Sequence, residues 1–120
     1  MRLTEIEFDD AKPVEGYGPG FFRIAGEVMD APLLVTAGGA RSWGGLDDLA
    51  TLTALAGDID VVFLGTGDDI AHAPAALRSA LEEAGIGVEA MNSPAACRTY
   101  NVLVSEGRRV AAALLPVTQG

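Results

Sequence analysis

Residues 60–64 read Asp-Val-Val-Phe-Leu, an apolar run bounded by Gly57 before it and Gly65 directly after it. A strand with one wet face alternates polar and apolar side chains; an unbroken run of branched and aromatic residues suits a strand covered on both faces. A second such run, Val110 to Leu115, ends at Pro116. Strands of this kind need a layer on each side, which directs the chain to a layered α/β domain.

The segments between these strands carry helical spacing. Residues 47–56 place Leu49, Leu52 and Leu55 on one face, with Asp47 and Asp48 at the positive end of the helix dipole and Gly57 as the stop. Residues 74–84 open on a proline and stop at Gly85, although Ala73 offers no side-chain acceptor as a cap. Residues 86–91 alternate as a strand with unequal faces. Ser93, Pro94 and Gly107 are the cap, first turn and stop of a third helix over 94–106. The strand–helix–strand spacing from 60 to 91 fits a right-handed parallel crossover. We expect the strand at 60–64 to be central in the sheet.

The N-terminal third reads differently. Residues 6–8 form a weak strand, and 21–24 and 33–36 are strands flanking a turn at Met29-Asp30-Ala31-Pro32. The glycine-rich stretches 16–20 and 38–45 read as loops. The expectation is one α/β domain over residues 1–120, three-layered, with a mixed central β-sheet. A β-hairpin region at the N-terminus is followed by the order αβαβαβ.

Composition narrows function by exclusion. The net charge is −9, with one lysine, Lys12, and basic clustering confined to Arg108-Arg109. Such a chain repels phosphate backbones and anionic membranes, so nucleic acid is a poor partner. No segment approaches the roughly 18 apolar residues of a membrane span, and the acidic start does not resemble a secretory signal. One cysteine cannot form an internal disulfide. A reducing, cytoplasmic location fits these features best.

Candidate chemistry is sparse. Gly65-Thr66-Gly67 follows the strand at 60–64, where loops of α/β sheets form ligand crevices. A nucleotide site would need a third glycine opening a helix or a P-loop lysine; Asp68-Asp69 follow instead. Ala40-Arg41-Ser42-Trp43-Gly44 nearly matches a nucleophile elbow, and Ser42, Asp68 or Asp69, and His72 come in hydrolase order. Ser42 nevertheless lies in an expected loop rather than on a strand-to-helix turn. Trp43 reads as a loop anchor. One histidine and one distant cysteine do not make a zinc site, and Asp68-Asp69 read as well as solvated loop residues as a magnesium site. We therefore assign no catalytic residue, no metal ligand and no cofactor. Cys97, in the first turns of a helix beside Arg98, has features that lower a thiol pKa, but its small apolar neighbours favour a buried, inert side chain. Arg98-Thr99-Tyr100-Asn101 is a poor choice for helix propensity. Tyr100 packing in the core, with Thr99 and Asn101 bonded to neighbouring loops, accounts for it; so does a polar pocket lined by Arg98 or Asn101.

The run GIGVEAMNSPAACRTYNVLVSEGRRVAAALLP, after a strand ending in Gly-Thr-Gly, resembles a family of small bacterial and archaeal α/β proteins. That family includes a mitochondrial assembly factor for respiratory complex I. The resemblance spans nearly the whole chain, with Cys97-Arg98-Thr99-Tyr100-Asn101 its most specific part and Trp43 at a matching position upstream. Asn92-Ser93 departs from the family, where an acidic or amide residue often precedes threonine. The resemblance implies a mixed-sheet three-layer fold, no established enzymatic activity, and protein partners: respiratory-complex subunits or another assembly factor.

Two functions from different classes follow. The first is a non-catalytic assembly or interaction protein. The second is a small-ligand site, enzymatic or not, near Gly65, Thr66 and Gly67 with Arg98, Thr99 and Asn101; with Trp43 these are the candidate binding residues.

Overall fold

The computed structural model describes residues 12–118; the weak strand expected at 6–8 lies outside them. The N-terminal region folds as three antiparallel strands, β1 (Val14–Gly18), β2 (Phe21–Ile24) and β3 (Glu27–Asp30), in the order β1-β2-β3. Then come β4 (Leu33–Thr36), β5 (Gly39–Ser42), α1 (Leu49–Thr53), β6 (Val61–Gly65), α2 (Ala75–Glu83), β7 (Gly87–Met91), α3 (Ser93–Ser105) and β8 (Val110–Leu114). The five later strands form a mixed sheet in the order β5-β4-β8-β6-β7. The αβαβαβ order expected from residue 47 onward is present.

Both faces of this sheet are covered. Phe63, Ala112 and Leu114 look toward Ala96, Cys97, Tyr100 and Val104 of α3, with Val14, Phe22 and Ile24 of the small sheet completing that core. Val62, Leu64, Ala111 and Ala113 look the other way, toward Leu52 of α1 and Leu77 and Leu81 of α2. Alternation along β6 and β8 thus feeds two cores, and the three layers follow. All five residues of β8 are buried, and its three alanines keep the sheet surface low under the packed layers.

Several local expectations change. The middle strand is β8, not β6. Since α2 and α3 cross on opposite faces, β7 falls on one side of β6 and β8 on the other, between β6 and β4. The stretch 16–20 is a loop only at Pro19-Gly20; Gly16 to Gly18 belong to β1, where Phe21 shields Gly18 so closely that an added Cβ would fall 2.4 Å from its ring. The turn expected at 29–32 is not a hairpin turn: Met29 and Asp30 pair with β2, and Ala31-Pro32 carry the chain into the larger sheet. Residues 39–42, expected in a loop, pair with β4 as an edge strand. The first helix is shorter than its leucine spacing suggested, running from Leu49 to Thr53 with Asp48 as its cap.

Candidate functional site

Parallel neighbours β6 and β7 send their exit loops to opposite faces, β6 toward α2 and β7 toward α3. Such a switch point is where open α/β sheets usually form a ligand crevice. Here the chain fills it with Ser93. This side chain is fully buried. Its Oγ accepts from the Gly67 amide at 2.9 Å and donates to the Leu115 carbonyl at 2.8 Å. Its amide donates to Gly67 O at 2.8 Å, and Leu115 N donates to Gly65 O at 2.9 Å. The ends of β6, β7 and β8 are knotted together through one hydroxyl.

The two glycines are required by this knot. A Cβ on Gly65 would stand 2.8 Å from Ser93 Oγ and 2.9 Å from Ser93 Cα, and Gly67 has φ +95° with Pro116 O 3.2 Å from where its Cβ would be. Thr66 is also committed internally. Its amide donates to Met91 O at 2.9 Å, and its hydroxyl accepts from Ala71 N at 3.0 Å while lying 2.7 Å from Asp69 O. The cap of α3 is Asn92, whose Oδ1 accepts from Ala95 N at 2.8 Å, one residue earlier than expected. Asparagine caps as well as serine does, which releases Ser93 for the knot.

The remaining candidates lie apart from this loop. Asn101 brackets Val14, its Oδ1 accepting from Val14 N and its Nδ2 donating to Val14 O, both at 2.8 Å. Tyr100 is buried, its hydroxyl donating to Lys12 O at 3.0 Å, and burial pushes the phenol well above its usual range. Half of the Arg-Thr-Tyr-Asn stretch thus staples the start of the small sheet to α3. Thr99 is half-buried; Arg98 is exposed and has no carboxylate within 4.0 Å among the described residues. Trp43 is buried in the core on the α1 side, and its Nε1 donates to Asp48 O at 3.1 Å. Gly65, Thr66 and Gly67 meet one another around Ser93, while Trp43 and Asn101 anchor other parts of the scaffold.

The catalytic templates can be placed too. Ser42 ends the edge strand β5, and β4 and β8 lie between it and β6. At roughly 4.8 Å per strand it stands well beyond hydrogen-bond reach of the β6 exit loop. Among the described residues no hydrogen bond joins Ser42, Asp69 and His72. The Asp68 carboxylate accepts from the amide and hydroxyl of Thr118. Cys97 is buried, and desolvation pushes its thiol up to about 12, against an opposing pull from Arg98. No group of three His, Cys, Asp or Glu side chains among the described residues is arranged to hold a metal.

One concavity was not anticipated from the sequence. A concavity of about 300 Å³ is lined by Ile70, Ala71, His72, Arg78 and Ala90, at the edge of β7. Arg78 Nη1 donates to Val88 O there at 3.3 Å. The one usable signal was Ile70, a large apolar residue isolated beside loop aspartates.

Fold and site define a three-layer α/β domain whose switch-point crevice is closed by its own serine. A family model described as "Protein of unknown function (DUF498/DUF598)" matches residues 14–115, and the chain belongs to that family. It is 56% identical to an uncharacterized protein of Rhodobacter capsulatus over 98% of this chain and 94% of that one. It is 32% identical to NADH dehydrogenase [ubiquinone] 1 alpha subcomplex assembly factor 3 of Danio rerio, covering 100% of this chain and 73% of the relative. Among solved structures it resembles a protein of Bartonella henselae called an outer membrane protein. The TM-score is 0.81 at 32% identity, over 89% of this chain and 96% of that one. In this chain, among the described residues, no helix is long and apolar enough to cross a membrane.

Proposed function

We propose that this chain is a non-catalytic assembly factor that works in the cytoplasm by binding other proteins during construction of a respiratory membrane complex. The observation that carries the reading is the likeness to the assembly factor of Danio rerio, which runs the full length of this chain at 32% identity. The likeness runs along the whole scaffold, and the role is carried over by analogy with that relative.

The geometry of the β6 exit supports binding of proteins over binding of a small anion. The amides of Thr66, Gly67 and Ser93, which would face an anion in a glycine-rich cradle, are spent on Met91 O, Ser93 Oγ and Gly67 O. Opening the cradle would leave buried donors and acceptors without partners. Of the candidate binding residues, Arg98 is the one with its charge in solvent; Val102, 55% exposed, lies one helical turn on along the same stripe.

The test is affinity capture from the native host, at endogenous level with mild crosslinking. Subunits or assembly factors of a respiratory complex should be enriched over a mock capture. Recovery of none of them, together with saturable small-molecule turnover abolished by Arg98→Ala, would replace this reading with the ligand-binding one.

A further inference from the structure

Among the described residues, strand β7 is the outer strand of its sheet and pairs with β6 alone. Gly87 N donates to Asp60 O at 2.8 Å and Met91 O accepts from Thr66 N at 2.9 Å, so residues 87, 89 and 91 turn their peptide groups toward β6. Alternation turns the peptide groups of Val88 and Ala90 outward. Of these, Val88 O accepts from Arg78; Val88 N, Ala90 N and Ala90 O have no protein partner among the described residues. Unpaired edge groups of this kind are a template for another strand.

The surroundings specify what that strand should carry. Ile70, 67% exposed, stands in the concavity beside the edge. Its segment is pinned, because the Thr66 hydroxyl accepts from the amide of Ala71, the next residue. Arg78 lines the same concavity with His72, has no carboxylate within 4.0 Å among the described residues, and spends one guanidinium donor on Val88 O. The other donors are available to a carboxylate. In a chain of net charge −9, this places a cation beside open backbone groups and an apolar anchor.

We propose that the β7 edge is a docking site for an extended acidic segment of another protein. The segment adds a strand along Val88 and Ala90, packs an apolar side chain on Ile70 and sets a carboxylate on Arg78. A second copy of this chain is a poor occupant, since a twofold edge-to-edge pairing would bring two Arg78 side chains to one seam. The opposite edge, β5, has a concavity of about 310 Å³ with Arg41. Its large apolar lining residue, Leu34, is fully buried, leaving no anchor. The inference rests on the protein-binding reading above and adds a place and a ligand chemistry to it.

The experiment titrates the ¹⁵N-labelled chain with a short blocked peptide alternating valine and threonine around one glutamate. Its controls are the same peptide with lysine for glutamate, and the glutamate peptide N-methylated at alternate amides. The amide signals of Val88, Ala90 and residues 70–72 should move with the glutamate peptide, and both controls should bind at least about fivefold more weakly. Arg78→Glu should reverse the charge preference. Arg78→Gln, which keeps a donor for Val88 O, should abolish the preference without reversing it. Shifts at β5 or β3 instead, equal binding of the charged peptides, an unchanged preference in Arg78→Glu, or no shifts at about millimolar peptide would overturn the site. If host capture by the wild-type chain recovers respiratory-complex proteins while the titration fails, the edge assignment alone falls. If the titration succeeds and capture recovers none of them, the edge stands and the assembly role falls.

Discussion

Ser93 holds Gly67 from both sides: its amide donates to the glycine carbonyl at 2.8 Å, and its hydroxyl accepts the glycine amide at 2.9 Å. The pair closes the crevice between β6 and β7, and the hydroxyl directs its own proton to Leu115 O. The switch point where open α/β sheets usually receive a ligand is filled here by the Ser93 side chain.

Ser93→Ala should therefore cost stability through an unpaired buried amide at Gly67 and an unpaired carbonyl at Leu115, roughly 1–3 kcal/mol. Gly65→Ala should cost a similar ~1–3 kcal/mol by overpacking, because its Cβ would meet Ser93 Cα at 2.9 Å. Urea denaturation of both variants checks this. Wild-type stability in Ser93→Ala would show that the knot contributes nothing.

Asn101→Leu should release the start of the small sheet. Both hydrogen bonds to Val14 vanish, while the rest of α3 stays packed in the core through Cys97, Tyr100 and Val104. Hydrogen exchange should speed up across β1 at least about tenfold with little change in β6, since a segment opens locally according to the interactions that hold that segment down. Uniform acceleration over the whole chain would mean that Asn101 supports the entire fold.

Cys97 should react with a thiol reagent at neutral pH only as fast as the protein opens. Its thiol is pushed up to about 12, so little thiolate exists even where reagent can reach it. Labelling should accelerate sharply in denaturant. Rapid stoichiometric labelling of the native protein would show an exposed, activated thiol.

Among the described residues, Asp48 and Asp60 contribute to the acid limit. Asp48 is held below its ordinary value of 3.8 by the Thr51 hydroxyl and then by the Gly44 and Thr51 amides. Asp60 is held below the same value by Arg109. A carboxyl with a depressed folded-state pKa stabilises the fold above its unfolded value and loses that contribution as pH falls through the folded value. Melting temperature should be flat from about pH 7 down to 5 as far as these groups decide it, and fall below about pH 4. In Asp48→Ala the neutral-pH melting temperature should drop and the acid fall become shallower. An unaltered acid limb in that variant would remove Asp48 from the account.

The later two thirds of the fold were legible because its signals are local. The apolar runs at 60–64 and 110–115, the Ser93-Pro94 helix start and the stops at Gly85 and Gly107 each point to one conformation, although the cap itself falls on Asn92. The first third was not. Tyr17, Phe22 and Met29 share a face only through cross-strand register, and glycines at 16 and 18 mask a strand that depends on Phe21 and Asn101 for its shape. At the site, the place of Gly65, Thr66 and Gly67 after a strand marks them in the sequence, but their partner Ser93 is distant in sequence and its local context signals only a helix cap. Asn101 was noticed for its poor helix propensity. That it bonds Val14 depends on tertiary placement, which no spacing encodes.

The account turns on whether a respiratory complex depends on this chain. The most direct measurement is the amount of assembled complex, quantified on native gels from a deletion strain of the host and from the same strain complemented with the wild-type gene. The account predicts a severalfold loss of assembled complex on deletion, accumulation of unassembled subunits, and restoration by the wild-type gene. An unchanged level of every respiratory complex in the deletion strain would contradict it.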